Sequence, residues 1–318
     1  MPFARTVLGD IDTNSLGKVY SHEHLIISGG IAVADNPGLK LDSIEKACEE
    51  LDDIAALGIR TVVDMMPVDC GREPEALVRI AKESGMNVVA CTGFHKPMYY
   101  DDLHWFYRYD EDTIADLFAA EIETGMDAYS YAGPVTRRLD AKAGIIKAAS
   151  DYHRMASVTQ KLFRAAAAAH IRTNAPISTH TEHGTFALEQ IRMLTDLGVA
   201  ADRIIICHLD RNPDLGYHKE VASTGVYIEY DNASRIKYWP DSTIADIIAR
   251  MAAEGFAEKI LLGTDFALRS YWSAYGGGPG MKYLMGTFVP KLKGFGIDDS
   301  TIDKFFISNP ARAFAMRE

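Results

Sequence analysis

Ser21-His22-Glu23-His24 stands at the end of a short apolar run that begins at Lys18, and it sets two histidines one residue apart. On a strand, residues i and i+2 point to one face, so both imidazoles can reach a single metal ion. An isolated H-x-H pair is a weak signal, because most such histidines are surface residues or satisfied core residues. Recurrence strengthens it. Further strand-like runs end at Lys147, His180, His208 and Asp265, each metal-competent or convertible to it, and each where a parallel strand would hand over to a loop.

Outward from this motif, short apolar runs alternate with amphipathic segments. The runs cover 18–24, 60–65, 87–93, 144–148, 177–180, 203–208, 226–229 and 260–265. Behind a capping-box-like Asp42 and Glu45, the residues Ile44, Cys48, Leu51, Ile54 and Leu57 follow helical spacing, and Gly58 ends that helix. Helices are also expected from Pro74 to Ser84, around Ile114 to Ile122, through the alanines of 165–169, after a Thr185 cap, and from Asp241. Such βαβ units imply parallel pairing. Eight of them in 318 residues without a linker point to one closed (β/α)8 TIM barrel, a single hydrolase domain spanning 1–318. Residues 1–17 are expected to cover the bottom of the barrel. The longest insertion, 94–142, is dense in aromatics and is expected to roof the site at the top.

Composition excludes several classes. Apolar residues make up 47% and charged residues 24%, near globular averages, which disfavours disorder. No apolar run approaches the roughly 18 residues of a membrane span, and Met1 to Asp10 lacks the basic start and apolar core of a signal peptide. The net charge of −11 argues against a general nucleic-acid binder, while leaving room for a local basic pocket that takes an anionic small molecule. Cys48, Cys70, Cys91 and Cys207 show no C-x-x-C pairing and read as buried free thiols. A cytoplasmic protein is expected, and a homodimer on general frequency alone.

Lys147 is the most informative candidate. Inside Gly144-Ile145-Ile146-Lys147-Ala148, a charged amine would be buried at considerable cost, so it is neutral, salt-bridged or chemically modified, unless it snorkels to solvent. A neutral amine can add carbon dioxide to give a carbamate, whose two oxygens could bridge two metals.

Taken together, Thr6-Val7-Leu8-Gly9, Ser21-His22-Glu23-His24, Ala143 to Lys147, His180-Thr181-Glu182, Cys207 to Asp210, Gly263-Thr264-Asp265 and Asn309-Pro310-Ala311 resemble the phosphotriesterase family of the amidohydrolase superfamily, nearly end to end. The resemblance implies that His22, His24 and Asp265 hold one metal and His180 and His208 a second, bridged by Lys147 as N6-carboxylysine together with a hydroxide. Two divalent cations roughly 3.5 to 4 Å apart lower the pKa of shared water and polarise a carbonyl or phosphoryl oxygen. Asp265 is then the catalytic residue that moves the proton to the leaving group. Zinc suits a site of imidazole and carboxylate, with manganese or cobalt able to substitute.

The loops bear on the substrate. Family lactonases often carry a tyrosine just after strand three, whereas this chain departs with Thr92-Gly93-Phe94-His95-Lys96. It offers instead Arg211 after strand six, Lys237 with Tyr238 after strand seven, and Arg269 with Tyr271 after strand eight, beside a His95 that could touch substrate. Gly276 to Gly280 adds a glycine-rich loop in the region where barrels bind phosphate. This arrangement resembles family members that hydrolyse phosphorylated sugar lactones, with Lys237, Arg269 and Tyr271 as phosphate contacts. The expectation is a metal-dependent lactonase for a small anionic sugar lactone. The alternatives are an ester, amide or phosphotriester hydrolase of the same family, and a noncatalytic binding barrel; the last would be favoured by a lost ligand position, and none is lost.

Overall fold

Eight parallel strands line up in sequence order in the computed structural model, which describes residues 2–129, 133 and 135–317. They follow an antiparallel hairpin, β1 (Phe3–Thr6) and β2 (Gly9–Asp12). The eight are β3 (Lys18–Glu23), β4 (Ile59–Asp64), β5 (Asn87–Gly93), β6 (Ile145–Ala149), β7 (Ile177–His180), β8 (Ile204–Cys207), β9 (Tyr227–Tyr230) and β10 (Ile260–Leu262). Each neighbouring pair from β3 to β10 is parallel. The N–H groups of Thr264 and Asp265 both donate to the His22 carbonyl, which joins the far edge back to β3 and closes a (β/α)8 barrel. Gly263 permits this closure, because a Cβ there would lie 2.8 Å from the His22 nitrogen.

Helices cover the outside. They include α1 (Ile44–Ala56), α2 (Pro74–Ser84), α3 (Glu111–Glu123), α4 (Ser157–Thr173), α5 (Ala187–Asp196), α6 (Leu215–Ser223) and α7 (Asp241–Met251). Their apolar faces form a buried shell with the outward residues of the strands, as Leu51, Leu77, Phe163 and Ile248 do. Inward residues Val19, Val63, Val89, Ile145, Ile205 and Leu261 fill the barrel, and Ala4 and Leu16 plug its lower end. The cover expected from residues 1–17 is therefore present, as a hairpin that the irregular sequence did not announce.

Several local readings need correction. Ser43, not Asp42, caps α1, its hydroxyl accepting from the Lys46 N–H. Thr185 does not cap α5: its hydroxyl donates to the Glu182 carbonyl, and Phe186 stands at the cap. The insertion does not roof the site as a whole. Among the described residues only its first turn reaches the top, while Tyr100 and His104 pack edge to face on Phe94, Phe106 and Phe118 pack tilted against it, and α3 docks on α4 through Arg164–Glu111 and Arg172–Asp116. Residues 130–132 and 134 of the insertion lie outside the described residues.

Candidate metal centre

All six expected ligands come from one rim of the barrel. His22 lies within β3 and His24 directly after it, Lys147 is in β6, His180 ends β7, His208 follows β8, and Asp265 lies three residues beyond β10. Each is at most 8% exposed, because the inward ends of the strands are covered by the loops above them. Lys147, at 2% exposed, does not snorkel to solvent. The ring centroids of His22 are 5.5 Å from His24 and 4.9 Å from His208, and those of His180 and His208 are 4.6 Å apart. Lys147 Nζ lies 3.5 Å from His22 Nε2, and Asp265 Oδ1 lies 3.0 Å from His24 Nε2. Donor atoms of His22, His24 and Asp265 fall within 4.8 Å of one another, the compass of one coordination sphere.

The backbone works to aim these groups. His208 and Asp265 adopt left-handed φ values of 63° and 48°, which are costly for residues other than glycine and are held here by surrounding bonds. Three imidazoles are anchored on the far side by a carboxyl group: His22 Nδ1 by Glu229 at 3.0 Å, His208 Nδ1 by Asp231 at 2.8 Å, and His180 Nε2 by Glu182 at 3.1 Å. The buried Lys96 in turn holds Glu182.

Burial drives the electrostatics. It pushes His22 and His208 well below the usual imidazole range and His180 down to about 3, so these rings are neutral donors at physiological pH. Burial pushes the Asp265 carboxyl up, but the Arg235 guanidinium and the His208, His24 and His22 imidazoles outweigh it and hold that carboxyl well below the usual range. Burial also raises the Glu229 carboxyl to about 8. Neutral imidazoles and a carboxylate beside a buried lysine suit divalent cations, and the buried His24 Nδ1 has no hydrogen-bond partner among the described residues. The residues fit the metals.

A cavity of about 190 Å³ opens above the cluster. His95, Arg211, Lys237 and Tyr271 line it, as does Tyr238. Arg269 does not: its guanidinium bonds to the Lys40 carbonyl and Asp42 and lies over the Tyr275 ring. Nor does the glycine-rich stretch reach the cavity. Its Gly277, Gly278 and Gly280 N–H groups donate to carbonyls at Trp272, Ser270 and Tyr271, bracing the loop that carries Tyr271. The cation that sequence reading missed is Arg235, two residues before Lys237. Arg235 Nη1 and Arg211 Nη2 each donate to Asp265 Oδ2 at 2.8 Å. Tyr99, also overlooked, completes the wall beside His95. The carboxyl partners were legible in principle, since two acids alternating in Tyr227-Ile228-Glu229-Tyr230-Asp231 break an otherwise apolar strand.

Residues 2–314 match the family model described as the Phosphotriesterase family. The chain is 37% identical over 326 residues to a phospho-furanose lactonase of Mycoplasmopsis synoviae, covering 99% of this chain and 92% of that relative. A lactonase structure from Listeria monocytogenes superposes with a TM-score of 0.91 at 34% identity, covering 99% of this chain and 100% of that one. The phosphotriesterase homology protein from Escherichia coli, complexed with phosphate in its active site, superposes with a TM-score of 0.86 at 30% identity over 94% of this chain and 99% of that one.

Proposed function

We propose, since the chain belongs to the Phosphotriesterase family and is a hydrolase of that family's binuclear metal kind, that it opens a small phosphorylated sugar lactone to its hydroxy acid. The observation that carries the substrate reading is the make-up of one small cavity: a floor of metal-competent side chains beneath a wall bearing Arg211, Arg235 and Lys237. At about 190 Å³ it takes a small substrate, and Lys237, which unlike Arg211 and Arg235 is not paired with Asp265, favours an anionic one. The phospho-furanose lactonase among its relatives supports the same reading.

His22, His24 and Asp265 would hold one metal and His180 and His208 the other, with carboxylated Lys147 between them; zinc is the first choice, manganese or cobalt the substitutes. When bound, the metals supply Lewis acidity that activates water and polarises the lactone carbonyl. Asp265 takes the proton of the attacking water and returns it to the ring oxygen as the acyl C–O bond breaks, so the lactone gains one water and opens. Arg211 and Arg235, both on Oδ2, keep the carboxyl oriented with Oδ1 toward His24 and His22. Lys237 and Tyr271, which line the cavity, would meet the phosphate, and His95, its ring 4.8 Å from His180, the sugar. Arg269 would reach the substrate only by leaving Asp42. Buried free thiols at Cys70, Cys91 and Cys207 fit a cytoplasmic setting.

The test is proton release at constant pH by the metal-reconstituted protein from five-carbon and six-carbon sugar lactones, with and without a terminal phosphate, beside an aryl ester and a phosphotriester. Phosphate-dependent turnover is expected. Turnover indifferent to phosphate, or confined to the ester or triester, would reject the proposed substrate while leaving the metal centre in place.

A further inference from the structure

Beneath the rim, inside the barrel, a chain of three polar groups to which the reaction described above gives no role ends on the proposed ligand His22. Ser178 Oγ lies 2.9 Å from Cys207 Sγ, Cys207 Sγ donates to Glu229 Oε2 at 2.8 Å, and the same oxygen lies 3.0 Å from His22 Nδ1. All four residues are at most 2% exposed. The second oxygen, Glu229 Oε1, is buried with no hydrogen-bond partner among the described residues. A carboxyl in this position is costly for the fold, because a hydrophobic side chain would fill an apolar barrel interior without an orphaned oxygen.

The geometry points to Glu229 as a positioning residue for one half of the metal centre: it holds His22 through Nδ1 so that Nε2 faces the ion bound with His24 and Asp265. An imidazole that ligates through Nε2 carries its proton on Nδ1, and that N–H donates to Glu229; Cys207 and Ser178 fix the carboxyl from the other side. Asp231, the residue that follows β9, does the equivalent for His208, accepting from its Nδ1 with Oδ1 at 2.8 Å. β9 and the residue directly after it thus supply the carboxyl partner for a histidine of each metal, which makes the two halves separately addressable. The inference rests on the proposed ligand set.

Glu229→Leu is close in volume and removes the acceptor, Glu229→Gln keeps one acceptor oxygen, and Asp231→Asn serves as the contrasting change. Zinc stoichiometry and affinity are measured by calorimetric titration of the stripped proteins, beside near-ultraviolet circular dichroism and steady-state kinetics. In Glu229→Leu one equivalent is expected to weaken by about 10-fold to 100-fold, with kcat falling, KM unchanged and the other equivalent intact. Glu229→Gln should fall between it and the wild type, and Asp231→Asn should weaken the opposite equivalent, identified because the doubly substituted protein loses both. Wild-type affinity for both equivalents in Glu229→Leu would overturn the assignment, as would equal weakening of both equivalents in every variant. A third equivalent, seen in the cobalt protein as a sulfur-to-metal charge-transfer band, would make Cys207 and Glu229 ligands and overturn it too. A wild type that binds fewer than two equivalents would instead bring down the ligand set itself, and the inference with it.

Discussion

Gly93 pairs with Lys147 across the β5–β6 ladder at a φ of 93°, and a Cβ there would come within 2.0 Å of the Lys147 carbonyl oxygen. The residue that sets the depth of the lysine is therefore a glycine on the neighbouring strand. Lys147→Met keeps the volume and removes the amine. It should lower kcat by roughly 100-fold or more, as expected when a group stabilising charge in the transition state is lost. Reconstitution of the wild type with zinc should also accelerate with added bicarbonate, and that of Lys147→Met should not; full activity and full metal content in the variant would sink the bridging carbamate. At the cavity wall, Lys237→Met removes a charge-assisted donor of about 1.5–3 kcal/mol, so KM for a phosphorylated lactone should rise by roughly 10-fold to 100-fold while the unphosphorylated lactone is unaffected. The types of ligand were readable from the chain. The left-handed backbone at His208 and Asp265, and the turning of Arg269 toward Asp42, were not, since each depends on residues far away in sequence.

Among the elements, the insertion after β5 depends on one buried pair. Arg72 and Glu121, 2% and 1% exposed at the side chain, meet at 2.7 Å and fasten α3 to the loop after β4, and Glu121 also accepts from the Asp127 N–H. Burial alone would raise the Glu121 carboxyl; Arg72 outweighs it and holds the carboxyl below its usual range. Glu121→Gln leaves a buried guanidinium without its counter-ion and should cost about 3–5 kcal/mol, read from urea unfolding monitored by tryptophan fluorescence. A loss under 1 kcal/mol would show that the pair is dispensable. Within α6, burial holds the His218 imidazole down to about 4, its Nε2 facing the Leu209 and Asn212 carbonyls. Because the unfolded chain takes up a proton there near pH 6.5 and the folded chain does not, this residue removes stability as pH falls from about 6.5 toward 4, by up to about 3 kcal/mol. His218→Gln should flatten that stretch of the stability profile, and parallel profiles would refute the assignment.

At the scale of the molecule, the candidate metal centre sits where the barrel closes. His22 supplies both a candidate ligand and the carbonyl that receives the Thr264 and Asp265 N–H groups, so organisation of the site and closure between β3 and β10 are one structural event. Metals that bind only the folded chain stabilise it by mass action, about 2.7 kcal/mol when free metal is 100 times its dissociation constant. Stripping with a chelator should therefore lower Tm by several degrees in scanning calorimetry, with recovery on adding zinc. An unchanged Tm would mean that no ion links these strands. No helix among the described residues is long and apolar enough to cross a membrane.

The chain by itself determined the barrel, the order of its strands and the side-chain types at the rim, because apolar periodicity is local and a parallel barrel carries every strand end to the same face. The structure decided what depends on distance across the fold. It set Glu229 against His22, 207 residues away, and Arg235 rather than Arg269 beside Asp265. It also folded residues 3–12 into a plugging hairpin. Such choices follow from which long side chains and loop backbones can satisfy one another once eight strands have closed, and no window along the sequence contains both partners.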